Sequence, residues 1–276
     1  MPYKKILTVQ DISCVGQCSL TVALPILSAC GLETCILPSA VLSNHTAFSE
    51  FTLRDLAADI PAIHRCWQRQ GIRFEAVYTG YLGSIGQIDA VKAIFDTMLT
   101  ENSVILVDPA MADNGKLYTG FDEAYANAMK KLCFAADILL PNITEACLLT
   151  GTDYKEHYDR AYIDTLLAGL TAQGAKTVVL TGVSYNQETT GVAVLENGVY
   201  SYYEHYKFPK GSHGTGDVYA SAFTGAYLNG KTALQAAKLA ADYTLECLKN
   251  TQDDPTHWYG VKFEPALPKL IQALEL

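Results

Sequence analysis

Gly211, Ser212, His213, Gly214, Thr215, Gly216 and Asp217, followed by Val218-Tyr219-Ala220-Ser221-Ala222-Phe223, form the stretch on which the reading turns. Glycines at 211, 214 and 216 permit backbone conformations that side chains forbid. Placed just before a helix, their N–H groups can converge on an anion with help from the helix dipole. A carboxylate at the end of such a loop stands where a hydroxyl nucleophile approaches a bound phosphate. Donors for developing charge beside a base for the attacking oxygen are what phosphoryl transfer needs. Taken alone, the same run also reads as a flexible glycine loop with a first-turn Asp. No GxGxxG follows the first strand, so a dinucleotide fingerprint is absent.

Upstream of this loop, short apolar runs alternate with longer amphipathic ones. Lys5–Val9, Thr34–Leu37, Ala76–Thr79, Val104–Val107, Ile138–Leu140 and Thr177–Thr181 read as strands. They are nearly continuous in apolar residues, as expected when helices cover both faces of a parallel sheet. Leu53–Gln70, Gly86–Leu99, Phe121–Cys133 and Asp159–Gln173 read as the intervening helices, the pattern of βαβ units. Thr189–Leu195 and Val199–Lys207, joined through Asn197-Gly198, break the alternation as an antiparallel hairpin. After the glycine-rich 210–217 segment the chain returns to helix over Val218–Leu228. Gly230 ends that helix, and Thr232 caps the next, Ala233–Leu248. No repeat or linker interrupts the chain, and residues 1–276 read as one domain.

Composition excludes several classes. With 49% hydrophobic and 18% charged residues the chain is an ordinary globular one, and disorder is excluded. A net charge of −9 without a basic stripe argues against nucleic acid, yet a helix N-terminus still suits an anionic nucleotide. The eight cysteines are irregularly spaced with no CxxC, which argues against a disulfide framework and a structural zinc. The start at Met1-Pro2-Tyr3-Lys4-Lys5 carries no apolar leader, and no run approaches the ~18 residues of a membrane span. A reduced, cytoplasmic protein without membrane contact is expected.

Gly214-Thr215-Gly216-Asp217, late in an alternating α/β chain, resembles the anion-hole motif of ribokinase-like kinases. Ser43-Asn44-His45-Thr46, Thr79-Gly80-Tyr81-Leu82-Gly83-Ser84, Asp108-Pro109 and Pro141-Asn142-Ile143-Thr144-Glu145 resemble, in order, the SNHT, TGYLGS, DP and PNxxE segments of pyridoxal kinases. The resemblance runs from about Ile6 to the helix after Asp217. It implies a three-layer α/β/α sandwich with a mostly parallel central sheet, and ATP-dependent phosphorylation of the 5′-hydroxymethyl group of a B6 vitamer. On that likeness Asp217 is the catalytic base, and the amides of Gly214, Thr215 and Gly216 hold the transferring phosphoryl. Asp11, Ser13, Thr46 and Tyr81 face the vitamin. Asp108, Asn142, Glu145, Thr181 and Gly182, with the loop glycines, face ATP. Glu145 and Asn142 hold Mg²⁺ through water. The family is usually a homodimer, and many members use a monovalent cation such as K⁺.

Each residue also has a plain structural reading. Asp108 can end a strand before its proline. Asn142 and Glu145 can serve a helix terminus. His45 can be a satisfied core histidine, Thr46 a helix cap, and Tyr81 a packing ring. There are departures as well: Asp11 occupies the position where pyridoxal kinases commonly have serine, and the following loop aligns only with a gap. His213 is a feature of hydroxymethylpyrimidine kinases, whose motif reads GTGC instead of GTGD, and such a kinase is the alternative enzyme. A non-catalytic pyridoxal phosphate carrier is the alternative of another class, against which an intact base beside an anion loop argues.

Overall fold

The computed structural model describes residues 3–209 and 211–276; Met1, Pro2 and Lys210, which enter the readings of the start and of the 210–217 loop, lie outside them. In chain order the elements are β1 (Lys5–Ser13), α1 (Leu20–Ala29), β2 (Glu33–Leu42), β3 (Leu53–Asp55), α2 (Ile60–Arg69), β4 (Phe74–Thr79) and α3 (Ile85–Met98). Next come β5 (Leu99–Val107), β6 (Ala112–Asp113), β7 (Lys116–Leu117), α4 (Glu123–Cys133), β8 (Ile138–Leu139), α5 (Ile143–Thr150) and α6 (Arg160–Ala172). The chain finishes with β9 (Thr177–Val183), β10 (Thr189–Glu196), β11 (Val199–Tyr206), α7 (Thr215–Leu228), α8 (Ala233–Thr251) and α9 (Leu267–Leu274).

One nine-stranded sheet runs β11-β10-β9-β8-β5-β4-β1-β2-β3. The six strands from β9 to β2 pair in parallel, and the hairpin β10–β11 and short β3 close the two edges in antiparallel pairing. Helices cover both faces, as the apolar strands require. On one face Ile60, Ile88, Val91, Met129, Leu149 and Leu166 build the core, and on the other Val22, Ile26, Phe223, Ala237, Tyr243 and Leu270 do. The result is the expected three-layer α/β/α sandwich.

The expected strands all form, several of them longer than anticipated. β1 continues to Ser13 because β2 supplies partners as far as Leu42, with an irregularity that sets Asp11 opposite Ser39 and Ala40. The 53–70 helix is corrected: Leu53–Asp55 pairs antiparallel with Ala40–Leu42, and helix begins only at Ile60, where Pro61 fits the first turn. Thr232 caps α8 as expected, in a reciprocal box with Gln235.

Candidate active site

Because the central strands are parallel, their carboxyl ends all open on one edge of the sheet. The strand order reverses between β1 and β4, which leaves a crevice of the kind in which open α/β sheets bind ligands. Asp11 and Ser13 end β1, Tyr81 follows β4, Asp108 follows β5, Asn142 follows β8, and Thr181 lies near the end of β9. The amino end of α7 is directed at the same edge.

Gly214 is the N-cap of α7, with φ 77°, and Asp217 lies in the first helical turn. The first intrahelical bond is Val218 N–H to Gly214 O, and Thr215 N–H makes a long 3.4 Å bond back to Ser212 O, which leaves the other first-turn amides outside the helical ladder where an anion can bind. The Asp217 carboxyl is pushed up to about 6, mainly by burial and further by the charge of Asp11, while the Ser19 backbone pulls it down. A carboxyl poised near neutrality beside outward-facing amides is equipped to take a proton from an attacking hydroxyl. Asp11 is buried, and its own carboxyl is raised, mainly by burial. Ser13 Oγ donates to Asp11 Oδ2 at 3.2 Å.

A second acidic cluster adjoins Asp217. Burial raises Asp108 well above the ordinary carboxylate range, and the charges of Glu145 and Asp217 add to it. Asp108 also bends the chain: its Oδ1 accepts the N–H of Ala110 at 3.1 Å, and Ala110 takes a φ of 41°, rare for a residue with a β-carbon. Glu145 is buried and is pushed up to about 7, chiefly by burial. Its Oε1 accepts Met111 N–H at 2.9 Å and its Oε2 accepts Asn142 N–H at 2.9 Å. Asn142 Oδ1 accepts Glu145 N–H at 3.0 Å, and its Nδ2 donates to Ala112 O at 2.8 Å. Among the described residues, no lysine or arginine pairs with Asp108, Glu145 or Asp217. Converging carboxylates without a cation, Glu145 buried and Asp108 and Asp217 half-buried, are a donor set that a hard divalent ion would relieve. No three His, Cys, Asp or Glu side chains among the described residues come close enough to cage an ion directly.

The remaining expected residues fall into two groups. Thr181 is joined to the acidic cluster: its N–H donates to Pro141 O at 2.9 Å and it bridges to Asn142. Gly182 is exposed beside it, with φ 73°. Tyr81 is half-buried, and its hydroxyl is raised by burial, then by Asp11 and Asp55. Its ring stacks on Phe121 at 5.5 Å, so it also serves as a packing aromatic. Thr46 is exposed and no helix follows it, which removes the capping reading. His45 is the buried member of that loop; its Nδ1 accepts Ala47 N–H at 3.1 Å, so Nε2 carries the proton donated to Tyr259 O at 2.7 Å.

Three contributors carry no sequence signature. Ser19, the N-cap of α1, has φ 52° and reaches both Asp11 and Asp217. Cys18 lies close enough to Asp217 that burial, then this charge, pushes its thiol up to about 12. Tyr118, beyond the β6–β7 turn, is raised by burial, then by Glu145 and Asp108. The turn itself was readable, since Asn114-Gly115 has positive φ at both residues, as does Asn197-Gly198 of the expected hairpin.

Known proteins resemble this chain in sequence and in fold. The sequence model of the family described as phosphomethylpyrimidine kinase matches residues 56–260. A pyridoxal kinase of Granulibacter bethesdensis is 28% identical over 262 residues, covering 90% of each chain. The crystal structure of pyridoxal kinase from Lactobacillus plantarum matches with a TM-score of 0.91 and 31% identity, over 99% of this chain and 98% of that one. A Bacteroides thetaiotaomicron protein, provisionally described as a phosphomethylpyrimidine kinase and crystallised with pyridoxal, matches with a TM-score of 0.92 and 34% identity, over 97% and 96% of the two chains.

Proposed function

The chain belongs to the phosphomethylpyrimidine kinase family, with the ribokinase-like fold, and from that membership we propose that it is a pyridoxal kinase. It transfers the γ-phosphoryl group of ATP to the 5′-hydroxymethyl group of pyridoxal, pyridoxine or pyridoxamine. The observation that carries this reading is the placement of Asp217: a near-neutral carboxyl in the first turn of α7, next to the outward amides of the 214–216 loop.

The vitamin lies in the crevice near Asp11, Ser13, Tyr81 and the 45–46 loop. ATP lies along the edge formed by Asp108, Asn142, Thr181 and Gly182. Asp217 takes the proton of the 5′-hydroxyl as its oxygen attacks the γ-phosphorus. The bond from phosphorus to the β–γ bridging oxygen breaks, and ADP leaves with that electron pair. Amides of Gly214, Thr215 and Gly216 stabilise the charge on the transferring group. Mg²⁺, when bound near Glu145, Asn142 and Asp108, neutralises phosphate charge. These residues otherwise fix the nucleotide edge by their mutual hydrogen bonds.

This reading carries with it a single domain over residues 1–276, a homodimer, dependence on a monovalent cation such as K⁺, and a cytoplasmic site where ATP is at hand. It draws support from two facts: all eight cysteines are free, and no helix among the described residues is long and apolar enough to cross a membrane. The test is turnover of Mg-ATP with pyridoxal, pyridoxine, pyridoxamine and hydroxymethylpyrimidine side by side. Faster use of hydroxymethylpyrimidine would hand the assignment to the pyrimidine kinases, and absence of any turnover would favour a carrier.

A further inference from the structure

We propose that Gln17 is a positioning residue that fastens the base-bearing 211–217 loop to a strap formed by residues 254–264. The proposal deepens the kinase reading above and rests on it.

Gln17 lies on the loop between β1 and α1, and its side chain is committed at both ends. Its Nε2 donates to Glu264 Oε1 at 2.6 Å, and its Oε1 meets His257 Nε2 at 2.6 Å. A carboxylate only accepts, so the amide nitrogen must face Glu264 and the amide oxygen must face His257. His257 therefore donates from Nε2, and the chain of donation runs His257 to Gln17 to Glu264. Backbone contacts reinforce it. Gln17 forms a parallel bridge with Gly260, and a β-carbon at Gly260 would come within 2.6 Å of the Gln17 Cβ.

The other side of Gln17 abuts the anion loop. A β-carbon on Gly214 would sit 1.9 Å from the Gln17 carbonyl oxygen, so only glycine permits the approach. Gly214 is the residue from which α7 starts, and a shift of Gln17 moves the start of that helix, including Asp217. A second tie runs parallel to the first: His45 donates to Tyr259 O at 2.7 Å, and its ring lies 5.1 Å from that of His213. The strap thus grips the loop at Gly214 through Gln17 and at His213 through His45. Neither residue needs to touch substrate for its loss to misplace the base.

Charge reversal tests this. Gln17→Glu sets two carboxylates against each other at Glu264, while Glu264→Gln restores a donor to the new carboxylate. Glu264→Gln alone keeps an acceptor for Gln17. We expect Gln17→Glu to lower kcat about 10- to 10²-fold, the scale of a small misplacement of reacting groups, with KM for ATP changed by less than about twofold. Amides of peptide 211–217 should exchange with solvent about tenfold faster. The double variant should recover both kcat and slow exchange. His257→Phe, which removes only the donor, should give a smaller loss in the same direction, and serves if Gln17→Glu does not fold.

Wild-type kcat and exchange in Gln17→Glu, or a loss that Glu264→Gln fails to rescue, overturns the proposal. If the wild type phosphorylates no vitamer, yet exchange at 211–217 rises in Gln17→Glu and is rescued in the double variant, the strap stands and the kinase reading falls.

Discussion

Asn142 and Glu145 hold one another across the first turn of α5, the Asn side chain accepting the Glu amide at 3.0 Å and the Glu side chain accepting the Asn amide at 2.9 Å. With Met111 N–H on the second carboxylate oxygen, Glu145 pins the loop after Asp108 to the end of β8. The helix-terminal reading of this pair is therefore true of its geometry, and the proposed metal-linked role would have to be exercised from within that box. Glu145→Gln is expected to raise the Mg²⁺ concentration that half-saturates turnover at fixed ATP. It also turns an amide N–H₂ toward a backbone donor, at a cost of about 1–3 kcal/mol, part of which is offset by removing a buried charge. An unchanged Mg²⁺ requirement would leave Glu145 with the capping role alone.

Asp217→Asn is expected to lower kcat by about 10² to 10⁴ while KM for ATP stays near wild type. If more than about a tenth of the rate persisted, Asp217 would not be the base. The same variant should melt at a higher temperature. The folded carboxyl titrates at about 6, above its unfolded value of ~3.9, so stability is fully present at low pH and falls as pH rises through 6. Asparagine has no such loss. Its advantage should grow between about pH 4 and 6 to the order of 2 kcal/mol, then level off. Parallel melts of both proteins across pH check the sign.

As the proposed base, Asp217 would work deprotonated, so kcat/KM should fall on the acid side with a midpoint near 6, once the titration of the substrate is subtracted. The charge of Asp11 helps to hold Asp217 up, so Asp11→Ser should move this limb to lower pH. A carboxylate facing the ring also favours cationic pyridoxamine, and the substitution should lower the pyridoxamine-to-pyridoxal ratio of kcat/KM. A ratio cancels any general loss of active enzyme. No change in either quantity would place Asp11 outside the vitamin pocket.

Gly214→Ala drives a methyl into the Gln17 carbonyl and puts a β-carbon at φ 77°. We expect kcat to fall at least about tenfold and the melting temperature to drop, since backbone on backbone leaves nothing to rotate away. Gly216→Ala, with open space around its β-carbon position, should be far milder in stability. Equal melting temperatures for the two variants would show that the close approach carries no strain.

Much of the fold was legible because a parallel sheet covered on both faces needs uninterrupted apolar strands, and Val77, Leu106 and Val179 supply them. What escaped the reading had no period to show. α1 is apolar almost all round and contains Pro25, and α5 is eight residues long and largely buried. β3 formed where a helix was expected because the exposed edge of β2 offered backbone partners that local propensity cannot register. In the site, Asp217, Asp108, Glu145, Asp11 and Ser13 could be named because their side-chain chemistry and their places after strands stand in the sequence. Ser19 and Gln17 could not. Ser19 matters through a backbone angle, and Gln17 through contacts with residues more than two hundred positions away.

That separation bears on when activity begins during synthesis. Gln17 meets Glu264 across 247 positions, and Lys4 donates to Leu228 O across 224, so the first and last parts of the chain complete one another. A nascent chain that has already emerged through Asp217 has that carboxyl, the acidic cluster and every strand of the sheet, yet no strap. Until residues 254–264 clear the ribosome, the phosphate-facing loop lacks the ties that pass through Gln17 and His45 to the strap. The base-bearing loop gains its strap only once residues 254–264 have been made, and shorter nascent chains present the sheet edge without it.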